Sequence, residues 1–392
     1  MARRLELSQW PSGSYVSAIW PATSGVQYRP AYLYKPWVPP FIATATPFAV
    51  GNALVALTEA ESQMERLSSS YRGSGSIADA FVRIEALSSS RIEGLNLNHR
   101  SLALALAQVG GASSVAQAVA HNVTAMNKTL ELSAEESFSV EMIQEIHAAL
   151  CVGTQLEEIA GDIRTTQNWI GKGQNGPRPN DYVPPPPEQV QGLLEDLCVF
   201  ANRKDLPVVF QVAVTHAQFE LIHPFADGNG RVGRCLIQAG LVRRLGPDIA
   251  HPPISSVLAA DTEGYISSLQ VYRRGDLNRY IETFSRATIA SVGHVYSLTN
   301  AFDSLQQQWL QTLDNPRSGS LVRKAVALLP GSPVVDGNRM SSLLNVDVSQ
   351  AIRTLNTLSE VGILSQATSG KRNRIWLAGE ILQILDTYDF SE

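Results

Sequence analysis

Apolar residues recur at four-three-four spacing through Phe210, Val214, Ala217 and Leu221, which predicts a helix with one buried stripe. Pro224 disfavours helical backbone at the residue before it, so this helix is expected to end at His223. A helical pattern restarts at Arg231-Val232-Gly233-Arg234-Cys235-Leu236-Ile237. Upstream, from about 50 to 150, the pattern is also helical, rich in Ala, Leu, Glu and Gln, with Gly or Ser breaks near 73–76, 110–114 and 133. Residues from about 10 to 48 are rich in Trp, Tyr and Pro and predict an extended arm packed on the body. Between Gly161 and Tyr182, extended flanks around a Gly/Pro/Asn-rich middle predict a hairpin, and Pro184 to Pro187 then bar strand or helix. A polar, Gln-rich helix is expected from about 285 to 314. The tail predicts helices over Val322 to Leu329, Met340 to Asn345 and Ser349 to Val361, then a hairpin from Ser365 to Trp376 tipped by Ser369-Gly370-Lys371-Arg372-Asn373.

The expected fold class is mainly α, with a β-hairpin over the central helices and a small α+β tail. The expected divisions are an arm at 1–48, a helical region at 49–150, a central body at 151–300, and a linker helix with the tail at 301–392. A length of 392 residues with 44% hydrophobic composition supports two or three domains with full cores. The net charge of −5 gives no electrostatic case for nucleic acid as the main partner, and no apolar run is long enough to cross a bilayer. The opening Met1-Ala2-Arg3-Arg4-Leu5 lacks the apolar core of a secretory signal. Cys151, Cys198 and Cys235 are far apart, without metal spacing, and read as reduced core residues. A cytoplasmic protein is the expectation.

The chemistry concentrates in His223-Pro224-Phe225-Ala226-Asp227-Gly228-Asn229-Gly230-Arg231-Val232-Gly233-Arg234. Gly228 and Gly230 flank Asn229, so the backbone can adopt positive φ and turn several N–H groups toward one anion. The following helix adds the positive end of its dipole, and Arg231 and Arg234 share one face at i, i+3. Phosphate is the ligand these groups suit.

The segment resembles the Fic family motif, His-x-Phe-x-Asp/Glu-Gly-Asn-Gly-Arg-x-x-Arg, at every defined position. The resemblance implies a protein adenylyltransferase that moves AMP from ATP to a Ser, Thr or Tyr hydroxyl of a target protein or of itself. It implies His223 as general base, suited by an imidazole pKa near ~6.5. It implies Asp227 as the ligand of Mg²⁺ between nucleotide phosphates, with Gly228, Asn229, Gly230, Arg231 and Arg234 binding those phosphates and Phe225 as an apolar pin. A branch of the family that transfers phosphate has lysine near the Asn-Gly-Arg position; Gly230 and Arg231 favour nucleotidyl transfer here.

Ser89-Ser90-Arg91-Ile92-Glu93-Gly94 is, from its residues alone, a helix end stopped by Gly94. By resemblance, Ser89, Glu93 and Gly94 fit the family's inhibitory helix, in which the glutamate takes the place of the ATP γ-phosphate at the second arginine, here Arg234. The isolated enzyme is then expected to be mostly off. In some relatives the same glutamate orients water to remove AMP, so the reverse reaction stays open. The hairpin resembles the family's flap, which presents the target, with Asn168, Trp169 and Ile170 positioned for this and Trp169 equally suited to a core. Tyr265 and Leu269 fall on one face of a helix and are either an adenine pocket or core packing. The tail resembles a winged helix, but its third helix offers Arg353 and few other base-reading groups. A module for partner docking or homodimer formation is therefore favoured over DNA binding. The remaining histidines, His216 and His147 among them, lack metal spacing and read as core or surface residues, as does Glu220.

Overall fold

The computed structural model describes residues 10–22, 30–46, 49–70, 75–108, 111–171, 173, 175–367 and 374–387. Four short strands come first: β1 (Ser14–Tyr15), β2 (Ala18–Trp20), β3 (Tyr32–Tyr34) and β4 (Trp37–Val38). Five helices follow, α1 (Asn52–Ser70), α2 (Gly75–Ile92), α3 (His99–Leu106), α4 (Ser114–Glu135) and α5 (Val140–Cys151). After a mostly irregular stretch come α6 (Pro187–Ala201), α7 (Val208–Ile222), α8 (Asn229–Leu245), α9 (Ile254–Ala260), α10 (Thr262–Arg273) and the long α11 (Leu277–Thr312). The tail holds α12 (Leu321–Leu328), β5 (Val334–Asp336), α13 (Gly337–Leu344), α14 (Val348–Glu360), β6 (Ser365–Gln366), β7 (Ile375–Leu377) and α15 (Gly379–Thr387). The fold is mainly helical, and it divides into two compact units.

The first unit comprises residues 1–62, 128–247 and 263–286. At its centre α7 is buried on every side from Val209 to Ile222, so the single apolar stripe understates it. Its polar residues are inside too because they have partners. Gln211, for example, donates to the carbonyls of Phe200, Ala201 and Arg203 and so closes the end of α6. The Glu61 carboxylate accepts from the N–H groups of Val208 (3.1 Å) and Val209 (2.6 Å), capping α7 where its sequence has only Pro207.

Helix α8 lies close against α7 through glycines two turns apart. A Cβ at Gly240 would sit 2.6 Å from Val212 Cγ2, and one at Gly233 would collide with Glu220 Oε1. Gly240→Ala is therefore expected to destabilise the protein by about 1 kcal/mol net: overpacking costs about 1–3 kcal/mol, and better helix propensity returns up to about 1. Chemical denaturation measures this, and an unchanged or higher midpoint would contradict the packing.

Several expectations need correction in this unit. The arm folds back on itself as two antiparallel ladders, β1–β4 and β2–β3, rather than lying simply extended. Trp10 meets the rings of Phe200 (6.4 Å) and Phe210 (6.0 Å) edge-on, and Asp196 accepts from the N–H of Ile42. Among the described residues the hairpin reduces to one bridge, Ile170 with Tyr182, because the flanking turn residues and prolines do not extend a ladder. Proline does not bar a helix at position 187, since Pro187 is the first residue of α6, where its missing N–H costs nothing. The hairpin tip, Gly171 to Gly176, includes Lys172 and Gln174, which lie outside the described residues.

The second unit comprises residues 63–127, 248–262 and 287–392. Here α2 packs against α9, and the buried Glu85 carboxylate accepts from Ser255 N (2.8 Å) and Ser255 Oγ (2.6 Å). Asn122 on α4 donates to Ala86 O and Ser90 Oγ on α2, so the helix carrying Ser89 is held by buried polar bonds as well as apolar contacts. Helix α4 continues through Ser133, which was expected to break it, since the Ser133 hydroxyl bonds back to Thr129 O within the helix. The Gln-rich helix begins at Leu277, eight residues before the position the polar pattern predicts.

In the tail the sheet order is β5-β7-β6, antiparallel throughout, around the buried Trp376. Strand β5 and helix α15 are additions that the sequence pattern does not predict. The hairpin tip Ser369 to Asn373 lies outside the described residues. Helices α12, α13 and α14 start on side-chain caps, Ser320, Asp336 and Asp347.

Candidate active site

Between α7 and α8 the chain turns through His223–Gly228. His223 ends α7 in the left-handed region at φ 51°, a conformation uncommon outside glycine. Three groups hold it there. Its N–H donates to Phe219 O (2.9 Å), its carbonyl accepts from Arg164 Nε (2.8 Å), and Pro224 O accepts from Arg164 N (2.9 Å). The buried Arg164 guanidinium also donates to Pro185 O (2.6 Å), so one side chain ties the root of the hairpin, its return and the turn together. Burial pushes this guanidinium down to about 10, still fully charged at neutral pH.

Phe225 is wholly buried and stacks flat on His147, 3.8 Å between centroids and 4° between planes. The Gly161 N–H donates to His147 Nδ1 (2.9 Å), which places the imidazole proton on Nε2, and Nε2 donates to Asp227 O at 3.1 Å. The ring thus fixes the carbonyl of the acidic residue while remaining neutral. Burial lowers its pKa to about 4.

The Asn229 side chain closes the loop internally. It accepts from Phe225 N (2.8 Å) and donates to Phe225 O (2.8 Å), like a paired backbone. The Asn229 side chain is thereby engaged within the loop, and its backbone N–H stands at the start of α8. Of the two loop glycines, only Gly228 has positive φ, at 80°; Gly230 is already in the first turn of α8. A Cβ at Gly228 would lie 3.1 Å from Leu150 and 3.4 Å from the His147 ring.

Gly228 is the N-cap of α8 and supplies no side-chain cap. By contrast α3, α5, α12, α13 and α14 are each capped by a side-chain oxygen. The first N–H groups of α8 therefore keep the arrangement that accepts an anion. Around them stand Arg231, buried to 8% exposure with Nη2 3.9 Å from Asp227 Oδ1, and Arg234 at 1% exposure. Asp227 projects outward with its side chain 62% exposed, and Oδ1 accepts from Gly228 N at 2.5 Å. His223 is half-buried.

The hairpin residues take three different positions. Asn168 donates to Phe225 O (3.1 Å), Trp169 meets the Trp20 ring at 5.0 Å and donates to Gly173 O, and Ile170 is 46% exposed. Trp169 thus packs against the arm. Tyr265 is buried, with its hydroxyl 2.9 Å from His216 Nε2, which makes it part of the core beneath α8; Leu269 is half-buried one turn on. Ser89 is buried in α2. Glu93 and Gly94 complete a tight helix end: Gly94 N bonds Arg91 O, Leu95 N bonds Ser90 O, and Gly94 has φ 80°. Glu93 is exposed there, in the second unit, and Arg234 is in the first. Arg164 was not anticipated, and His147 was expected only as a core or surface histidine; the structure buries it in α5 with Ile143, Ile146 and Leu150.

His147 and His216 are both held neutral by burial, His216 down to about 3. The unfolded chain binds their protons below ~6.5 and the folded chain does not. Stability is therefore whole above that pH and falls as pH drops toward 4, by about 1.4 kcal/mol per pH unit for each histidine. Urea midpoints at pH 7, 5.5 and 4.5 should decline in that order; a flat series would contradict the neutral assignment.

Residues 137–241 match the Fic/DOC family, and residues 54–131 match the Fic/DOC family N-terminal region. Over 171 residues the chain is 29% identical to protein adenylyltransferase fic-1 of Caenorhabditis elegans, covering 43% of this chain and 30% of that protein. Over 131 residues it is 34% identical to a probable protein adenylyltransferase of Aquifex aeolicus, covering 32% of this chain and 38% of that one. The matched stretches thus span only about a third of the length of these relatives. Among solved structures, a Fic family protein from Desulfovibrio desulfuricans G20 aligns with a TM-score of 0.54 at 20% identity, over 85% of this chain and 98% of that one, a likeness in fold.

Proposed function

From a chain that belongs to the Fic/DOC family over residues 54–131 and 137–241, we propose that the His223 loop moves AMP from ATP to a Ser, Thr or Tyr hydroxyl of a target protein, and to the chain itself. The observation that carries this reading is the uncapped, glycine-started N-terminus of α8, with two buried arginines behind it and an imidazole on the other side of the turn. Nucleotide phosphates take the place a side-chain cap would fill. Arg231 and Arg234 neutralise them. Asp227 offers one exposed carboxylate held by a backbone N–H, a donor set that fits Mg²⁺, which prefers carboxylate and phosphate oxygen and commonly takes only one or two protein ligands. Bound there, the ion would supply positive charge to the phosphates.

His223 takes the proton of the target hydroxyl, whose oxygen attacks the α-phosphorus. The bond to the bridging oxygen breaks and pyrophosphate leaves. Ile170, paired to Tyr182 and outwardly exposed, suits the docking of a target segment beside the loop, with Asn168 fixing the hairpin to Phe225. The buried hydroxyl contact of Tyr265 favours a supporting part for that residue, leaving Leu269 nearer the nucleotide. Label from α-labelled ATP should become bound to protein and label from γ-labelled ATP should not; the opposite pattern would mean phosphate transfer.

Glu93 acts as a brake in this reading, its carboxylate competing with nucleotide phosphate for Arg234. A second reading rests on Glu93 being exposed at the helix end. An accessible carboxylate can also orient water for removal of AMP. Purified adenylylated target incubated with wild type and with Glu93→Gly separates them: loss of AMP only with wild type supports removal. The tail serves partner docking or self-association in this account, since Arg353 is the only basic residue on α14.

A further inference from the structure

Within the second unit, α2, α3, α4, β5 and α13 line a cavity of about 440 Å³. Its charged groups are Asp79 and Arg83 on α2, with Asp336 and Arg339 at the start of α13. The Asp336 carboxylate is already engaged as the α13 cap, accepting from Arg339 N at 2.7 Å. Burial pushes the half-buried Arg83 guanidinium down to about 10, against the pull of Asp79 and with the push of Arg339. Asp79 interacts with both arginines, and burial still raises its carboxyl. With the Asp336 carboxylate occupied as a cap, two guanidinium groups face the cavity with the Asp79 carboxylate, and the dipole of α13 adds positive potential. The walls add Asn127, Asn338 and Ser332, and no aromatic ring lines the cavity among the described residues.

We propose that this cavity binds a small phosphate monoester bearing hydroxyl groups, of the sugar phosphate class. The phosphate lies between Arg83 and Arg339, whose repulsion a dianion relieves and whose donors match phosphate oxygens. Asp79 and Asn127 take the hydroxyls. The volume suits a ligand of that size, and without an aromatic surface there is no stacking platform for a nucleobase. Arg83 and Asp79 share α2 with Ser89, and Glu93 follows the last residue of that helix, which gives the bound metabolite a hold on the segment of the proposed brake. That last consequence rests on the reading of Glu93 above; the binding does not.

Calorimetric titration of the full chain with ribose 5-phosphate, ribose and inorganic phosphate tests the site. Ribose 5-phosphate should bind saturably, inorganic phosphate at least tenfold more weakly, and ribose not at all. Binding of ribose 5-phosphate should persist in Arg231→Gln, which disables the loop between α7 and α8, and weaken at least tenfold in Arg83→Gln and in Arg339→Gln. Arg339 is exposed, so its variant keeps the fold if Arg83→Gln does not. Absence of saturable binding, loss in Arg231→Gln, or binding unchanged in both cavity variants would overturn the proposal. None of these outcomes bears on AMP transfer.

Discussion

With His223→Ala, transfer of label from α-labelled ATP to protein is expected to fall by about 100- to 10,000-fold, the usual contribution of a positioned general base. Nucleotide affinity should change little, because in the proposed function the phosphates fall to the N–H groups of α8 and to Arg231 and Arg234, not to the imidazole. The backbone at His223 is left-handed, φ 51°, and alanine is less at ease there than asparagine. His223→Asn is therefore the sharper variant: it keeps the turn held by Arg164 and removes the base. Equal losses in both variants with intact ATP binding would identify proton transfer as the missing step. Retained transfer in His223→Asn would remove the imidazole from the chemistry.

Glu93→Gly should move the same assay the other way, with a rise of about tenfold or more, since each factor of ten needs only about 1.4 kcal/mol of relieved competition at Arg234. The substitution spares the local fold. Gly94 and Leu95 close the end of α2 through backbone bonds to the carbonyls of Arg91 and Ser90. Glu93→Gln keeps the shape and removes the charge, and should give an intermediate rise. A gain that depends on ATP concentration, largest when ATP is scarce, is the signature of competition for the phosphate position. No rise in either variant would remove Glu93 as the brake.

The loop was readable in the sequence because its groups sit within twelve consecutive residues, where glycine conformation, the proline stop and arginine spacing are local properties. What positions the loop was not readable. Arg164 reaches His223 O across 59 residues of chain, and His147 reaches Asp227 O across 80. Neither belongs to a local pattern, and an arginine or histidine that bonds a backbone carbonyl leaves no spacing to detect. Asn229 illustrates a subtler limit. Its place in the motif suggested a contact with the anion, yet its side chain closes the loop on Phe225.

At the level of the fold, helices were legible wherever apolar spacing or a clear stop marked them, as at His223 and Gly94. The hairpin was overread because extended composition does not specify how many ladder bonds form, and among the described residues only Ile170 and Tyr182 pair. Strand β5 was missed since Val334-Val335-Asp336 is too short to show alternation, and it is strand only because β7 lies beside it. The full burial of α7 likewise depends on neighbours that supply partners for Gln211, His216 and Gln218.

Intact mass of the purified chain after incubation with ATP and Mg²⁺, wild type against Glu93→Gly, tests the central claim most directly, because it needs no target. The account predicts a gain of one or more AMP units in Glu93→Gly, little or none in wild type, and none in a Glu93→Gly chain that also carries His223→Asn. An unmodified mass in Glu93→Gly, or a gain matching phosphate instead of AMP, would contradict it.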